Sequence, residues 1–484
     1  MKRIIFPYDF APYYPIGVQP CPMYVDVANR VYNRIKEARL DLPDADELKK
    51  EIAINVAIYY EDKMSCIGLW NAFVRKHLLT YLHSLPFFDD FDELDKDDVN
   101  AKEVELLIWL VISRNFKDRF LNPLAIGEEM AEAIMDILTE DDDIEVNESM
   151  LDFIYNKDKA NDYFKLKQIL FWLRRSYLLC APISEERFYD LLDTYEGKFN
   201  MSEVAYYAET TFLMTTEIGP LALEPHLWLA EMYYNNGMCE EAVNLSDLEY
   251  VQQNLFRVTE ANAKYAILKD TKGECYKLKN VYPDFLYIDS YICTALVKYG
   301  DDWETNGVMF NSNKKAYDKM CEYKRKLEFS YEQAYPLYME RTKGKRMAFF
   351  ENKNQLKEWL REVVPEMDID EMDYQLPSSS QVAFISKKAG IIFAPNVIHA
   401  IKCKDNPYYR KCDASKLQKE TMDAVLNIGA MHPEMLNYLL ENNMLQHGDI
   451  SSMAPNDIGN EIFTHYIDFI ARNHRRHYYH DHDY

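Results

Sequence analysis

Glu61, Asp62 and His77 are the first residues along the chain that could do acid–base or metal chemistry together. Two carboxylates and an imidazole can move a proton or hold a divalent cation. Their spacing works against it. On one helix over 59–83, Asp62 and His77 would stand about 22 Å apart at 1.5 Å per residue. They share an ion only if the chain turns back at Gly68 or another helix supplies ligands. The plainer expectation is that Glu61 and Asp62 cap a helix or pair with a nearby Arg or Lys. The acidic runs 89–98 and 140–145 carry calcium-like charge but lack the central glycine of an EF-hand turn, so they are expected as solvated loops.

The second half offers further candidates. His399 and Cys403 stand four residues apart on an expected helix over 396–403. They read as a packed thiol beside a core histidine rather than as a low-pKa thiolate. Asp405-Asn406-Pro407-Tyr408-Tyr409 follows as a turn. His474, His477, His480 and His482 lie among Asp481 and Asp483. One terminus rarely closes a cage of three or four ligands. Arg472, Arg475 and Arg476 form a basic island that either docks on acidic loops or binds an anionic group. On these grounds no catalytic residue is assigned, and no cofactor-binding or metal-ligating residue is expected.

Composition narrows the classes. The chain has 14 glycines in 484 residues, and the closest two, Gly300 and Gly307, are seven apart. That is about 3%, against a usual ~7%. No G-x-G-x-x-G, P-loop or G-x-S-x-G elbow exists, and no H-E-x-x-H. The net charge of −25 repels phosphate backbones and anionic lipid and attracts basic partners. Nucleic acid is therefore an unfavoured partner. Nine cysteines stand singly, as reduced thiols of a reducing compartment would. The N-terminal residues have no signal-like apolar core, and the longest clean apolar run, 106–112, is far short of the ~20 residues of a membrane helix. The expectation is a cytoplasmic protein that makes no membrane contact.

The apolar periodicity predicts an α+β protein, mostly helical. Met23, Val27, Val31 and Ile35 recur at steps of four, and helical patterning continues over 47–83, 103–113, 126–139, 162–180, 184–194 and 201–215. A helical hairpin over 226–246 places Leu229, Ala230, Tyr233, Gly237, Glu241 and Ala242 as one tetratricopeptide unit would, without a second copy. Residues 264–269 and 274–279 alternate around Asp270-Thr-Lys-Gly273, with 291–298 and 308–310 as further strands and a turn at Asn306-Gly307. They predict a small SH3-like or β-barrel-type module. After a helix over 313–342 come strands at 346–351, 382–386 and 391–394. Helices at 354–363, 396–403, 414–428, 432–443 and 456–475 complete the C-terminal region. The expected divisions are a helical domain 1–146, a helical-hairpin region 147–250, a β-rich module 251–312 and an α+β region 313–484.

A series of aromatic motifs carries a resemblance. Tyr59-Tyr60-Glu61-Asp62 is followed by Gly68-Leu69-Trp70-Asn71-Ala72-Phe73, then Leu85-Pro86-Phe87-Phe88 and Glu105-Leu106-Leu107-Ile108-Trp109. Phe171-Trp172-Leu173, Ser176-Tyr177-Leu178-Leu179, Asp405-Asn406-Pro407-Tyr408 and Asp468-Phe469-Ile470-Ala471-Arg472 follow. This order resembles the domain-of-unknown-function 3843 family of gut Bacteroidales. Leu445-Gln-His-Gly stands where that family leads one to expect Leu-Pro-Asp-Ala, which marks a divergent member. The resemblance implies a cytoplasmic bacterial protein and transfers no site.

Three functions follow as expectations. The first is a non-enzymatic binding or scaffold protein with a protein partner. The second is an enzyme, a hydrolase for example, whose carboxylates and histidines (Glu61, Asp62, His399) converge from distant segments in a deep pocket. The third is a nucleic-acid-associated accessory protein, which needs a basic strip at Lys264, Lys269, Lys272, Lys277 and Lys279. Lysines on a hairpin edge also serve to block aggregation.

Overall fold

The computed structural model describes residues 4–38, 40, 42–88, 98–116, 119–140, 145–195, 200–279, 286–371, 376–446 and 456–480. Most of the acidic runs 89–98 and 140–145, and His482 with Asp481 and Asp483, lie outside these residues. The protein is an α+β chain, mainly helical, with two small sheets among the described residues. It divides into two compact units, residues 1–115 with 126–324, and residues 116–125 with 325–484.

The first unit is built round two helices that are buried nearly all round. Ala45–Met64 is sealed from Ile52 to Lys63, and Ala101–Ser113 from Glu103 to Ser113. Such helices have no solvent face, so they form the middle of a stack and need amphipathic neighbours to cover them. Pro22–Ile35 is one such cover, burying Val27, Val31 and Ile35. Pro225–Asn235 and Cys239–Ser246 form the expected helical hairpin, turning at Gly237.

The barrel closes in the order β1-β2-β3-β5-β4, with β1 Glu249–Ala261, β2 Ala266–Lys269, β3 Cys275–Leu278, β4 Tyr291–Tyr299 and β5 Asp302–Ser312. Every pairing is antiparallel except β3 with β5, which meet in parallel at Leu278 and Trp303. Phe256, Val258, Leu268, Leu278, Ile292 and Leu296 fill the interior. At the β2–β3 turn the buried Asp270 carboxylate accepts the amides of Lys272, Gly273 and Glu274 at 2.8–2.9 Å.

Asn306-Gly307 is not the expected turn. Both residues lie within β5, where the register with β4 shifts between Cys293 and Ala295, and Gly307 takes φ +83°. This is a bulge. It presses the barrel onto the Met201–Thr215 helix: Asn306 Nδ2 donates to the Thr210 carbonyl (3.2 Å), and Asn306 Oδ1 accepts from the Tyr163 hydroxyl (2.9 Å).

In the second unit β6 Met347–Phe350, β7 Gln381–Ser386 and β8 Gly390–Pro395 pair antiparallel in that order. Every residue of the central β7 is buried. The Lys353–Val363 helix lays Leu356, Leu360 and Val363 against Phe350 and Ala383. The expected helix over 456–475 is two, Asn456–His465 and Ile467–Arg475. The expected helix over 396–403 is absent. Asn396 takes φ +57°, residues 398–400 turn, and Ile401 bridges to Leu445.

A Cβ added at Gly307 would sit 2.5 Å from Thr210 Oγ1 in a left-handed backbone. Gly307→Ala is therefore expected to destabilise the first unit by about 1–3 kcal/mol, from backbone strain and overpacking together. Denaturant unfolding followed by circular dichroism checks this.

Candidate functional site

The Ala45–Met64 helix ends at Met64, and the chain turns back through residues 65–68 into the Leu69–Tyr81 helix. This turn is the reversal at Gly68 that a Glu61–Asp62–His77 site required, yet it does not assemble one. Asp62 Oδ1 accepts the amides of Gly68 (2.7 Å) and Leu69 (3.0 Å), and Oδ2 accepts the amide of Trp70 (2.7 Å) and the Tyr177 hydroxyl (2.8 Å). It satisfies the orphan donors at a helix N-terminus from outside that helix. Burial pushes the Asp62 carboxyl up, and these four donors pull it back down.

Glu61 is fully buried beside it. The Tyr14 hydroxyl donates to one oxygen, and Asn147 Nδ2 donates to the other at 2.9 Å. Burial again raises this carboxyl, against the pull of Tyr14 and Asn147. Asn147 also caps the Glu148–Tyr155 helix, so Glu61 orders the entry to a third helix. Asp62 caps as expected, but among the described residues neither carboxylate takes an Arg or Lys partner. One turn away Glu103 accepts the Tyr59 hydroxyl and faces Lys63 Nζ at 3.4 Å, both side chains sealed.

Space decides what this cluster can do. The void touching Glu61 and Asp62 is walled by Tyr13, Ile58, Met150, Trp172 and Tyr177 and measures about 10 Å³. That admits one water at most. Its carboxylates already accept from Tyr14, Asn147, Tyr177 and three backbone amides. His77 lies elsewhere, two turns down the Leu69–Tyr81 helix, with Nδ1 on the His83 carbonyl (2.8 Å) and its ring between Phe73 and Tyr81. Burial lowers its pKa from 6.5 to about 4.

His399 is paired with Glu420. Its Nδ1 meets Glu420 Oε1 at 2.8 Å, and its backbone amide donates to Glu420 Oε2 at 2.8 Å. Both side chains are buried, so the dyad clamps the 398–400 turn to the Ala414–Leu426 helix. Asn406 reinforces the clamp by donating to the carbonyls of Ile398 (2.6 Å) and Ile401 (2.8 Å).

The basic island is structural too. Arg472 pairs with Asp468 (2.9 Å), and Arg475, fully buried, donates to the carbonyls of Ala424 and Met431. It thereby meets the negative end of the Ala414–Leu426 helix dipole. His474 is buried and its pKa is lowered to about 4. Among the described residues no group of three or more His, Cys, Asp or Glu is placed to hold a metal.

An open cleft lies at the barrel. It measures about 680 Å³ and is lined by Glu240 and Asp247 of the helical hairpin and by Glu249, Asp301, Asp302 and Glu304 of the barrel. Its two lysines are already used, Lys279 on Asp302 (2.8 Å) and Lys298 on Glu249 (2.6 Å). Burial and the nearby Asp162 raise the Glu304 carboxyl. The sequence reading missed this cleft, because its carboxylates come from two stretches, 240–249 and 301–304, that are far apart in the chain. The only local signal was Gly300-Asp-Asp302 between two strands.

Three of the motifs that carried the resemblance, 59–62, 68–73 and 176–179, meet in space: Tyr59, Glu61, Asp62, Gly68, Leu69, Trp70 and Tyr177 all belong to the sealed cluster. The profile of DUF3843, a protein family of unknown function, matches residues 4–255 and 302–476. The chain belongs to this family. The stretch between the two DUF3843 matches, 256–301, carries β2, β3 and β4 of the barrel. No curated protein and no solved structure matches the chain.

Two outcomes follow. Asp62→Asn replaces an acceptor oxygen by a donor opposite backbone amides, and is expected to destabilise the first unit by about 2–4 kcal/mol, measured by denaturant unfolding. For His77, the unfolded imidazole takes a proton below about 6.5, which the folded one refuses until about 4, so stability falls as pH drops through that window. In His77→Leu that fall is expected to be smaller by up to about 3 kcal/mol.

Proposed function

We propose that this DUF3843 protein is a non-enzymatic binding or scaffold protein of the cytoplasm, and that its partner is a protein. The observation that carries this reading is the sealing of the residues that could do chemistry. Glu61, Asp62, Glu103, His77, His399 and Glu420 are all at most 5% exposed. The void that reaches Glu61 and Asp62 is the size of a water. A hydrolase needs a general base within reach of a bound substrate. These side chains instead hold helix ends and turns together.

The acidic cleft supports the same reading. It is open and polar, with six carboxylates against two paired lysines. Charge of one sign on a cleft wall steers a partner of the other sign and rejects its own. A basic segment of a partner protein suits it.

Cross-linked capture from the native cell tests the proposal. The expected result is a stoichiometric protein partner of unchanged mass, with capture reduced about tenfold by the double variant Asp247→Lys/Asp301→Lys and unaffected by Cys275→Ser. Recovery of a cleaved or chemically altered partner overturns it. So does a small molecule turned over by the purified protein.

A further inference from the structure

The outward face of the β2–β3 hairpin is a basic surface that the cleft and the helical core leave unused. Alternation along the strands sorts it. Ala266, Leu268 and Leu278 point into the barrel, and Tyr265, Ile267, Lys269, Cys275 and Lys277 face out. Lys277 Nζ stands 4.7 Å over the Tyr265 ring, which places both on that outer face. Lys264, in the loop before β2, is exposed as well.

These cations are uncommitted. Lys264, Lys269 and Lys277 have no carboxylate within ion-pair reach among the described residues. The surface is also extended by a second element. The Tyr317 hydroxyl donates to the Asp270 carbonyl (2.5 Å), which lays the start of the Lys314–Arg341 helix against the hairpin turn and brings up the exposed Lys314 and Lys315. Exposed carboxylates beside these lysines are Glu260 of β1, which takes the Tyr265 hydroxyl at 3.2 Å, and Glu274 at the β2–β3 turn.

We propose that this face binds single-stranded nucleic acid. Charge complementarity requires an anionic partner. The chain's overall −25 does not forbid one, because at physiological salt a Debye length of about 8 Å screens the distant carboxylates from the patch. One feature selects a nucleic acid over an acidic peptide. An aromatic ring under one of the lysines supplies a surface on which a base can stack while the ammonium moves to the phosphate.

The barrel's strand order, with its one parallel β3–β5 contact, is that of OB-type barrels, whose β2–β3 face is open to ligands. Topology alone assigns no ligand, and the residues on the face carry the argument. The inference goes beyond the protein-partner reading and is independent of it, since the cleft and this face are different surfaces of the same unit.

Fluorescence anisotropy of the full chain with labelled oligothymidylate of about 15 nucleotides tests it, in a salt series that starts near 50 mM. The expected result is saturable binding that weakens with salt. Lys269→Gln/Lys277→Gln, both exposed positions, is expected to lower affinity about tenfold and to flatten the log–log salt slope by about 1.4, two contacts at 0.7 each. Tyr265→Ala is expected to weaken oligothymidylate about fivefold or more, with circular dichroism confirming the fold of each variant. The proposal is overturned if wild type does not bind at the lowest salt, if the lysine variant binds as wild type does, or if labelled oligoglutamate binds as tightly as oligothymidylate. That last result would assign the face to an acidic protein. Failure here with a captured partner at the cleft leaves the protein-partner reading standing.

Discussion

Four donors converge on one buried carboxylate, and much of the first unit depends on that convergence. An isolated carboxylate inside a protein is costly, and so is a helix N-terminus with no acceptor for its amides. Asp62 answers both needs at once. It ends its own helix, starts the next one and ties the Tyr177 segment to the pair. Glu61 repeats the device one residue earlier, reaching Tyr14 and the cap of the Glu148–Tyr155 helix. Five segments are thereby ordered by two adjacent acids. A helix buried on all sides has no amphipathic stripe to orient it, so such bonds fix its rotation and register where apolar packing alone would leave them loose.

The second unit uses the same logic with other residues. Glu420 holds both the amide and the ring of His399, and Arg475 holds the carbonyl end of the helix that carries Glu420. In both units, titratable side chains that a motif search would flag serve as struts. On the barrel, exposed charge is negative in the cleft and positive on the β2–β3 face.

How much of this was legible depended on how local the cause was. The Met201–Thr215 and Lys314–Arg341 helices fall within a residue of the pattern read at 201–215 and 313–342, because a periodic apolar face is written in the segment itself. β1 was not named as a strand. Only Phe256 and Val258 among its thirteen residues are fully buried, so its alternation is faint, and it owes its place to two partners. Residues 397–401 misled in the opposite way. Val397, Ile398, Ala400 and Ile401 are all buried, and a contiguous buried run imitates a helix when its neighbours are unknown. The Asp62 cap was expected in kind, but Tyr177 and Asn147 lie 115 and 86 residues from their carboxylates, and no spacing rule reaches that far. Glu420 was missed for the same reason.

The central claim is that the Asp62 cluster is a sealed strut and not a working site. Native-state hydrogen exchange of the Gly68, Leu69 and Trp70 amides tests it most directly. The account has these amides exchange only when the unit unfolds, with the same free energy of opening as the middle of the Ala45–Met64 helix. Opening at a much lower free energy, with that helix still protected, would reveal a gated pocket around Asp62 and contradict it.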